Sequence, residues 1–268
     1  MFYPTGLRID LFKLLLGDRT DRASFIKNQR ARAGRPLVQS ENIFHSLTLL
    51  SPEDITAIKV RNQQKKWHGS SVRILPVDFY NRDPVSVAQD LLGKLLFRVA
   101  EGVTTAGIIV ETEAYLAKDD PANHAYRGCT PRNAAMFGPP GHAYVYCIHT
   151  HYCLNVVTEP AGVASAVLLR AIQPTLGIEV MQTRRGNQPV ENLASGPGKL
   201  CTALAIDRAL NHWDLTRGDH LWLEAPPTES PMEIVTTRRV GVTSAHDLRL
   251  RFYLAANPFV SRGPKPSK

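Results

Sequence analysis

The chain has 268 residues, 43% of them apolar and 21% charged, with 32 Lys and Arg against 24 Asp and Glu and a formal net charge of +8. That composition excludes collagen-like, mucin-like and wholly disordered chains, and the lack of any run of about 18 apolar residues excludes a membrane-spanning helix. The length fits one domain with an appendage, and the basic balance points first to a polyanionic partner such as nucleic acid.

The charge is unevenly placed. Residues 1–72 hold 12 of the basic and 6 of the acidic residues, so +6 of the net +8 sits there. This segment reads as a basic, partly ordered N-terminal extension. It contains a weakly amphipathic helix over Asp10 to Leu16, a basic loop through Arg35, and a helix begun by Ser51-Pro52-Glu53-Asp54. It is a solvated appendage, a basic arm that tracks a phosphate backbone, or an organelle-targeting segment. The domain proper is expected over residues 73–268. Four cysteines (Cys129, Cys147, Cys153, Cys201) are too few for a disulfide scaffold, and no secretory leader precedes them. Free thiols in a reducing, intracellular compartment are therefore expected.

From Leu75 onward the patterns sharpen. Pro84 to Phe97 predicts a helix, with Asp83 as cap, Pro84 at the first position and Val87, Leu91, Leu92, Leu95 and Leu96 on one face. Thr104 to Glu113, rich in β-branched residues, predicts a strand. Tyr144 to Val157 predicts one long strand or a tight hairpin, and Ala164 to Ile172 a further strand ended by Gln173-Pro174. Pro174 to Arg185 and Ser195 to Ile206 predict helices. Leu221 to Ala225, Glu233 to Arg239 and Leu250 to Ala255 predict late strands. There is no regular βαβ rhythm and no dinucleotide or phosphate-loop glycine pattern. The predicted class is α+β: a single mixed domain around a curved, mainly antiparallel sheet with flanking helices.

Several stretches could carry chemistry. Glu111 and Glu113 end an apolar strand, and alternation puts them on one face with Thr112 on the other. Such a carboxylate is either partly desolvated and suited to acid–base work or one of a solvent-facing pair. The run Tyr144 to Asn155 combines aromatic, His and Cys residues. Cys147, His149, His151 and Cys153 fall two apart, but on an extended strand they span roughly 20 Å, too far for one zinc ion. Only a turn near Thr150 could gather them. The alternatives are packed thiols with edge histidines, or a surface that stacks bases. Ser195-Gly196-Pro197-Gly198-Lys199 opens a helix and could meet a phosphate, with Lys199 adding charge, or be a plain helix start. Thr130-Pro131-Arg132-Asn133, after His124 and Arg127, is a polar loop. Arg170 is embedded in the apolar run Ala166 to Ala171 and needs a partner: a carboxylate such as Glu113, or a bound phosphate or water site.

Taken in order, Val110-Glu111-Thr112-Glu113-Ala114-Tyr115, His124, Thr130-Pro131-Arg132-Asn133, Met136-Phe137, Tyr144-Val145-Tyr146, Asn155, Leu168-Leu169-Arg170-Ala171 and Ser195 to Cys201 closely resemble the alkyladenine (3-methyladenine) DNA glycosylase family. The resemblance covers roughly Leu75 to Val260 and does not reach residues 1–72. It implies a monofunctional N-glycosylase of base-excision repair. Such an enzyme flips an alkylated or deaminated purine (3-methyladenine, 7-methylguanine, hypoxanthine, ethenoadenine) from double-stranded DNA and hydrolyses its bond to the sugar. Glu113 then matches the general base and Arg170 a holder of the attacking water. A backbone carbonyl from a late segment also belongs there, with no residue assigned. Tyr115, His124 and Tyr146 match the walls and hydrogen-bonding partners of the flipped base. Asn155 matches the residue that screens out guanine-type exocyclic amines. Arg132 and Lys199 are the candidates for DNA-phosphate contact. No lysine matches a Schiff-base position, so no strand-cutting step is implied.

One departure concerns the wedge that fills the duplex where the base left. Family members carry a tyrosine after the position of Tyr146, whereas here the loop reads Ile148-His149-Thr150-His151 and is one residue shorter. His149 is the nearest stand-in for DNA intercalation. No cofactor and no metal are expected, and a monomer is. The expected location is the cytoplasm or nucleoid, or the nucleus or a DNA-containing organelle. The rivals are a lesion-binding protein of the same fold without excision, and a metalloprotein built on the Cys/His stretch.

Overall fold

The structure is a computed structural model, and it describes residues 73–228 and 231–261. The basic extension expected over residues 1–72 lies outside the described residues. The first two helices are α1 (Val77–Tyr80) and α2 (Pro84–Asp90). As the sequence predicts, Asp83 caps α2: its Oδ1 accepts the Ser86 N–H at 2.9 Å, with Pro84 at the first position. The predicted helix to Phe97 is a correction. It stops at Asp90, Gly93 turns the chain at φ +79°, and Leu95–Ala100 form strand β1. The apolar run Leu91-Leu92 and Leu95-Leu96 satisfies a helical period and a buried strand alike; the left-handed glycine between them decides.

The remaining strands are β2 (Val103–Tyr115), β3 (Ala143–Ile148), β4 (His151–Thr158), β5 (Ser165–Leu176), β6 (Leu221–Glu224), β7 (Ile234–Thr237) and β8 (Arg251–Leu254). All pair antiparallel in the order β3-β4-β5-β2-β1-β6, with β8 joining β2 and β7 joining β8. The sheet curls into a half-barrel. The long strand β2 is its spine: β5 runs along one side, while β1 covers its first half and β8 its second half on the other. Register shifts against β5 at Ile109/Glu111 and Glu111/Thr112 interrupt the ladder on either side of Glu111.

Three short α-helices follow β5 in the described residues, α3 (Ile178–Arg184), α4 (Val190–Leu193) and α5 (Pro197–Ala203), and single 3-10 turns lie at Ala134–Phe137 and Arg208–Leu210. Both longer predicted helices here are shorter than the sequence suggests. Strand β5 continues through Pro174, because β4 pairs only with Ser165 to Leu168 and leaves that side of β5 without a ladder that Pro174 must serve. The turn into α3 falls at Gly177 instead. Its φ is +70°, and a Cβ there would lie 2.8 Å from the Thr104 carbonyl oxygen.

Alternation along the strands divides the sheet into two faces. One carries Ile109, Ala114, Val145, Leu154, Val156, Val167 and Leu169, which build the main core with Val87, Ala88 and Leu91 from the α2 region and Leu200, Cys201 and Ala203 of α5. Thr112, on this face, satisfies its hydroxyl by donating to the Ala88 carbonyl at 2.8 Å. The other face carries the polar residues singled out from the sequence. Register aligns Glu113 with Leu168, Leu168 with Asn155, and Asn155 with Tyr144, so one row crosses four strands. Among the described residues no helix is long and apolar enough to cross a membrane.

Candidate active site

Glu111 and Glu113 share one face of the sheet as predicted, but they are not solvent-facing: both are 0% exposed. Two buried carboxylates on one face need cations and donors, and Arg170 of β5 bridges them. Its Nε donates to Glu111 Oε1 at 2.8 Å and its Nη1 lies 3.2 Å from Glu113 Oε1. Glu111 is then saturated from the C-terminal side. Arg251 Nε donates to it at 2.7 Å, and Ser261 supplies its N–H at 2.7 Å and its hydroxyl at 2.8 Å. Glu113 has a different set. Beyond Arg170 it accepts the Val240 N–H at 2.7 Å on Oε1 and the Tyr115 hydroxyl at 3.0 Å on Oε2.

These surroundings push the two acids apart. Burial works to raise Glu111, but the Arg170 and Arg251 guanidiniums and the two Ser261 donors hold it below the usual carboxylate range. Burial raises Glu113 above that range despite the pull of Arg170, Val240 N–H and Tyr115, and the Glu111 charge adds to the rise. Divergent neighbours of this kind separate a fixed charge from a proton acceptor. Glu111 is the standing counter-charge for Arg170. Of the two, Glu113 is the carboxylate that holds a proton more readily.

Aromatic rings stand beside Glu113. Tyr115 and Tyr146 are half-buried. The inner side of His124 rests edge-on against Tyr146, with ring centroids 4.5 Å apart, and its Nδ1 meets the Tyr144 hydroxyl at 3.0 Å. Burial, with Arg132 nearby, lowers the His124 pKa and so favours the neutral ring. The Tyr144 hydroxyl, pushed up to about 12 by burial, remains a donor. Asn155 is buried, and its Nδ2 donates to the Tyr144 carbonyl at 3.1 Å. A cavity of about 480 Å³ opens where the β7–β8 connection meets this network, lined by Val240, Arg239 and Arg251 among others. Its lining does not include Tyr115, Tyr146 or His124, so it does not lie among these rings.

Tyr144 to Val157 is a hairpin that turns at His149-Thr150. Register places Cys147 opposite Tyr152 and Cys153 opposite Tyr146, so the two thiols lie on opposite faces of the hairpin and the four-ligand cluster does not assemble. Among the described residues no group of three or more His, Cys, Asp or Glu could hold a metal ion. His149 sits at the first turn position with φ 52°, where a two-residue hairpin prefers glycine, and it is exposed beside exposed Ile148. Arg132 and Lys199, both exposed, flank this tip. Arg132 Nη2 donates to the Cys147 carbonyl at 3.0 Å. Gly198, next to Lys199, lies so close to His151 that a Cβ on it would be 3.0 Å from the His151 Cβ.

Thus Glu113, Arg170 and Tyr115 are in direct contact, Tyr146, His124 and Asn155 share their face, and His149, Arg132 and Lys199 gather at the hairpin end. Sequence reasoning missed Val240, Ser261, Asp120, Arg239 and the role of Arg251. The late strand around Phe252 was legible, and a buried Glu111 calls for a second cation, which is the signal that could have found Arg251. Nothing local marks Val240, whose contribution is a backbone N–H.

A sequence model of the family described as methylpurine-DNA glycosylase (MPG) matches residues 78–258. A protein of Methanoculleus marisnigri named "Putative 3-methyladenine DNA glycosylase" is 55% identical over 192 residues, covering 70% of this chain and 98% of that protein. One of the same name from Carboxydothermus hydrogenoformans is 50% identical over 190 residues, covering 70% of this chain and 99% of that protein. A third, from Chlorobaculum tepidum, is 46% identical over 199 residues, covering 72% and 95%. The matched span contains Glu111, Glu113, Arg170 and the aromatic side chains beside them, and the chain therefore belongs to the methylpurine-DNA glycosylase family of DNA-repair enzymes.

Proposed function

We propose that residues 73–268 form a monofunctional glycosylase domain that flips an alkylated or deaminated purine from duplex DNA and hydrolyses its N-glycosidic bond with a water activated by Glu113. The observation that carries this reading is a buried carboxylate with raised pKa that is bridged by Arg170 and bonded to the Tyr115 hydroxyl. Arg170 holds both Glu113 and the water side of the site. The water oxygen bonds to the sugar C1′, the bond from C1′ to the purine nitrogen breaks with its electron pair going to the purine, and the water proton goes to Glu113. A purine alkylated at N3 or N7 is cationic and leaves neutral, so one carboxylate suffices; an uncharged purine such as hypoxanthine leaves as its anion and takes up a proton from solvent water. Tyr115 and Tyr146 offer electron-rich faces to a cationic base, and the neutral form favoured at His124 does not repel it. Asn155 lies in the row that ends at Glu113 and is the candidate for rejecting guanine-type amines.

Single-turnover excision from duplex oligonucleotides tests the reading, one carrying hypoxanthine and one an alkylated purine. Alkali-dependent strand cleavage is expected with at least one of them. Retained lesion binding with no abasic product from either would instead favour a lesion-binding protein without excision.

His149 is proposed to enter the gap left by the flipped base, with Arg132 and Lys199 on the flanking phosphates. His149→Ala should slow excision from a fully paired duplex roughly 10-fold, because unstacking costs a few kcal/mol there, and by less than about three-fold opposite a mismatch, where that cost is small. Equal losses on the two substrates would remove His149 from this role.

A further inference from the structure

A second buried ion pair lies against Tyr115. Asp120 and Arg239 have side chains with 0% exposure and meet through both guanidinium Nη atoms at 2.6 and 2.7 Å. Arg239 Nη1 also donates to the carbonyl of Ala114 at 3.0 Å, the residue between Glu113 and Tyr115. The guanidinium lies 4.6 Å from the centroid of the Tyr115 ring. Asp120 accepts two further backbone donors, Leu116 N–H at 3.0 Å and Ala122 N–H at 3.2 Å. The pair therefore ties together the end of β2, the loop that leads to His124, and the segment after β7. Arg239 is followed at once by Val240, whose N–H reaches Glu113.

A buried ion pair is weak evidence of stabilisation, since desolvating two charges costs about as much as their attraction returns. This one is not optimised for stability either: Arg239 Nε is buried without a hydrogen-bond partner. What the pair does fix is geometry. Arg239 is bonded to Ala114, between Glu113 and Tyr115, and precedes Val240, whose N–H meets Glu113.

We infer that Arg239, clamped by Asp120, is a positioning residue that holds the Val240 N–H on Glu113 and the Tyr115 ring against the base. This inference rests on the glycosylase reading above. Its consequence appears in the pH dependence. The Val240 N–H favours ionised Glu113. If it drifts away, Glu113 binds its proton more tightly, and the ionised base becomes available only at higher pH. The other groups around Glu113 are Arg170, Glu111, Tyr115, Tyr146 and Cys153, with Arg251 committed to Glu111. Of these only Tyr115 also touches Arg239, so a change at Arg239 reaches Glu113 through the Val240 N–H and the Tyr115 hydroxyl, both of which favour its ionised form.

Two variants test it. Arg239→Lys keeps the charge but loses the two-pronged contact and the bond to Ala114. Arg239→Met with Asp120→Leu replaces the ion pair with apolar packing, which commonly keeps stability. Single-turnover excision is measured from pH 5 to 9, alongside melting temperature and Glu113→Gln. The acid limb is expected to move up by about one pH unit in both variants, with a rate near pH 6 reduced roughly 10-fold and partial recovery at high pH. A lowered melting temperature with an unmoved limb, or failure of both variants to fold, assigns the pair to folding alone and overturns the inference. A wild-type acid limb that persists in Glu113→Gln would show that the glycosylase reading itself has failed, a separable outcome.

Discussion

Replacing Glu113 by Gln should lower single-turnover excision by about 10² to 10⁴-fold, the usual span for a positioned base, while damaged-duplex affinity stays within about three-fold of wild type. The substitution is nearly isosteric. The amide oxygen can still accept the Val240 N–H that meets Oε1 at 2.7 Å, and Arg170 keeps Glu111 as its counter-charge. Only the ability to take a proton is lost. Stability provides an independent check. Burial raises the Glu113 pKa above its unfolded value. Its contribution is therefore fully present below the unfolded pKa and is lost as pH rises through the folded one. The amide has no such loss, so near neutral pH the variant should melt at the wild-type temperature or above it. Abasic sites revealed by alkali and binding by gel shift would be measured in parallel. Wild-type excision by the variant removes Glu113 from the chemistry. A joint loss of excision, binding and melting temperature means instead that the substitution disrupted the fold.

How far the sequence reaches is clearest at the sheet. β2, the β3–β4 hairpin, β5 and the three late strands follow from alternating apolar residues, and the cap at Asp83 from local hydrogen bonding. What misleads is a run that fits two periods. Leu91 to Phe97 reads as helix until Gly93 adopts a left-handed conformation, and Pro174 reads as a stop until β4 proves too short to need its missing N–H. The candidate site shows the same division. Side chains on one strand, such as Glu111, Glu113 and Tyr115, declare a shared face by spacing alone. Their partners come from far along the chain: Val240 is 127 residues from Glu113, Ser261 is 150 from Glu111, and Arg239 is 119 from Asp120. Such contacts are products of the curl of the sheet, and no local pattern encodes them. Burial is equally nonlocal. Nothing in Glu-Thr-Glu distinguishes a solvated pair from a sealed one until β5 and β8 close on both sides.

Arg170→Met should be the most destabilising substitution at the site. Removing one partner of a buried charge network typically costs about 3–5 kcal/mol, a large part of the roughly 5–15 kcal/mol that holds a domain together. For a domain of this size each kcal/mol is worth about 2–4 °C, so a fall in melting temperature on the order of 10 °C is expected at pH 7.5. The loss has a distinctive pH signature. In the wild type, Glu111 has a lowered pKa because Arg170 and Arg251 outweigh its burial. Its stabilisation is present above the unfolded value and is lost as pH falls through the folded one. Without Arg170, Glu113 keeps only neutral donors, the Val240 N–H and the Tyr115 hydroxyl, and its already raised pKa rises further. A raised carboxyl stabilises the fold below its unfolded pKa and gives that up as pH increases. The variant should therefore gain stability as pH drops from 8 towards 5 and narrow its gap from the wild type. Calorimetry at four pH values reads this directly. A Glu113→Gln, Arg170→Met double variant should recover much of the lost stability at neutral pH, since the uncompensated charge is gone, and still not excise. A single variant that melts within about 2 °C of wild type at every pH, well below the shift expected for an orphaned buried charge, would mean that Arg170 does not carry the charge balance assigned to it.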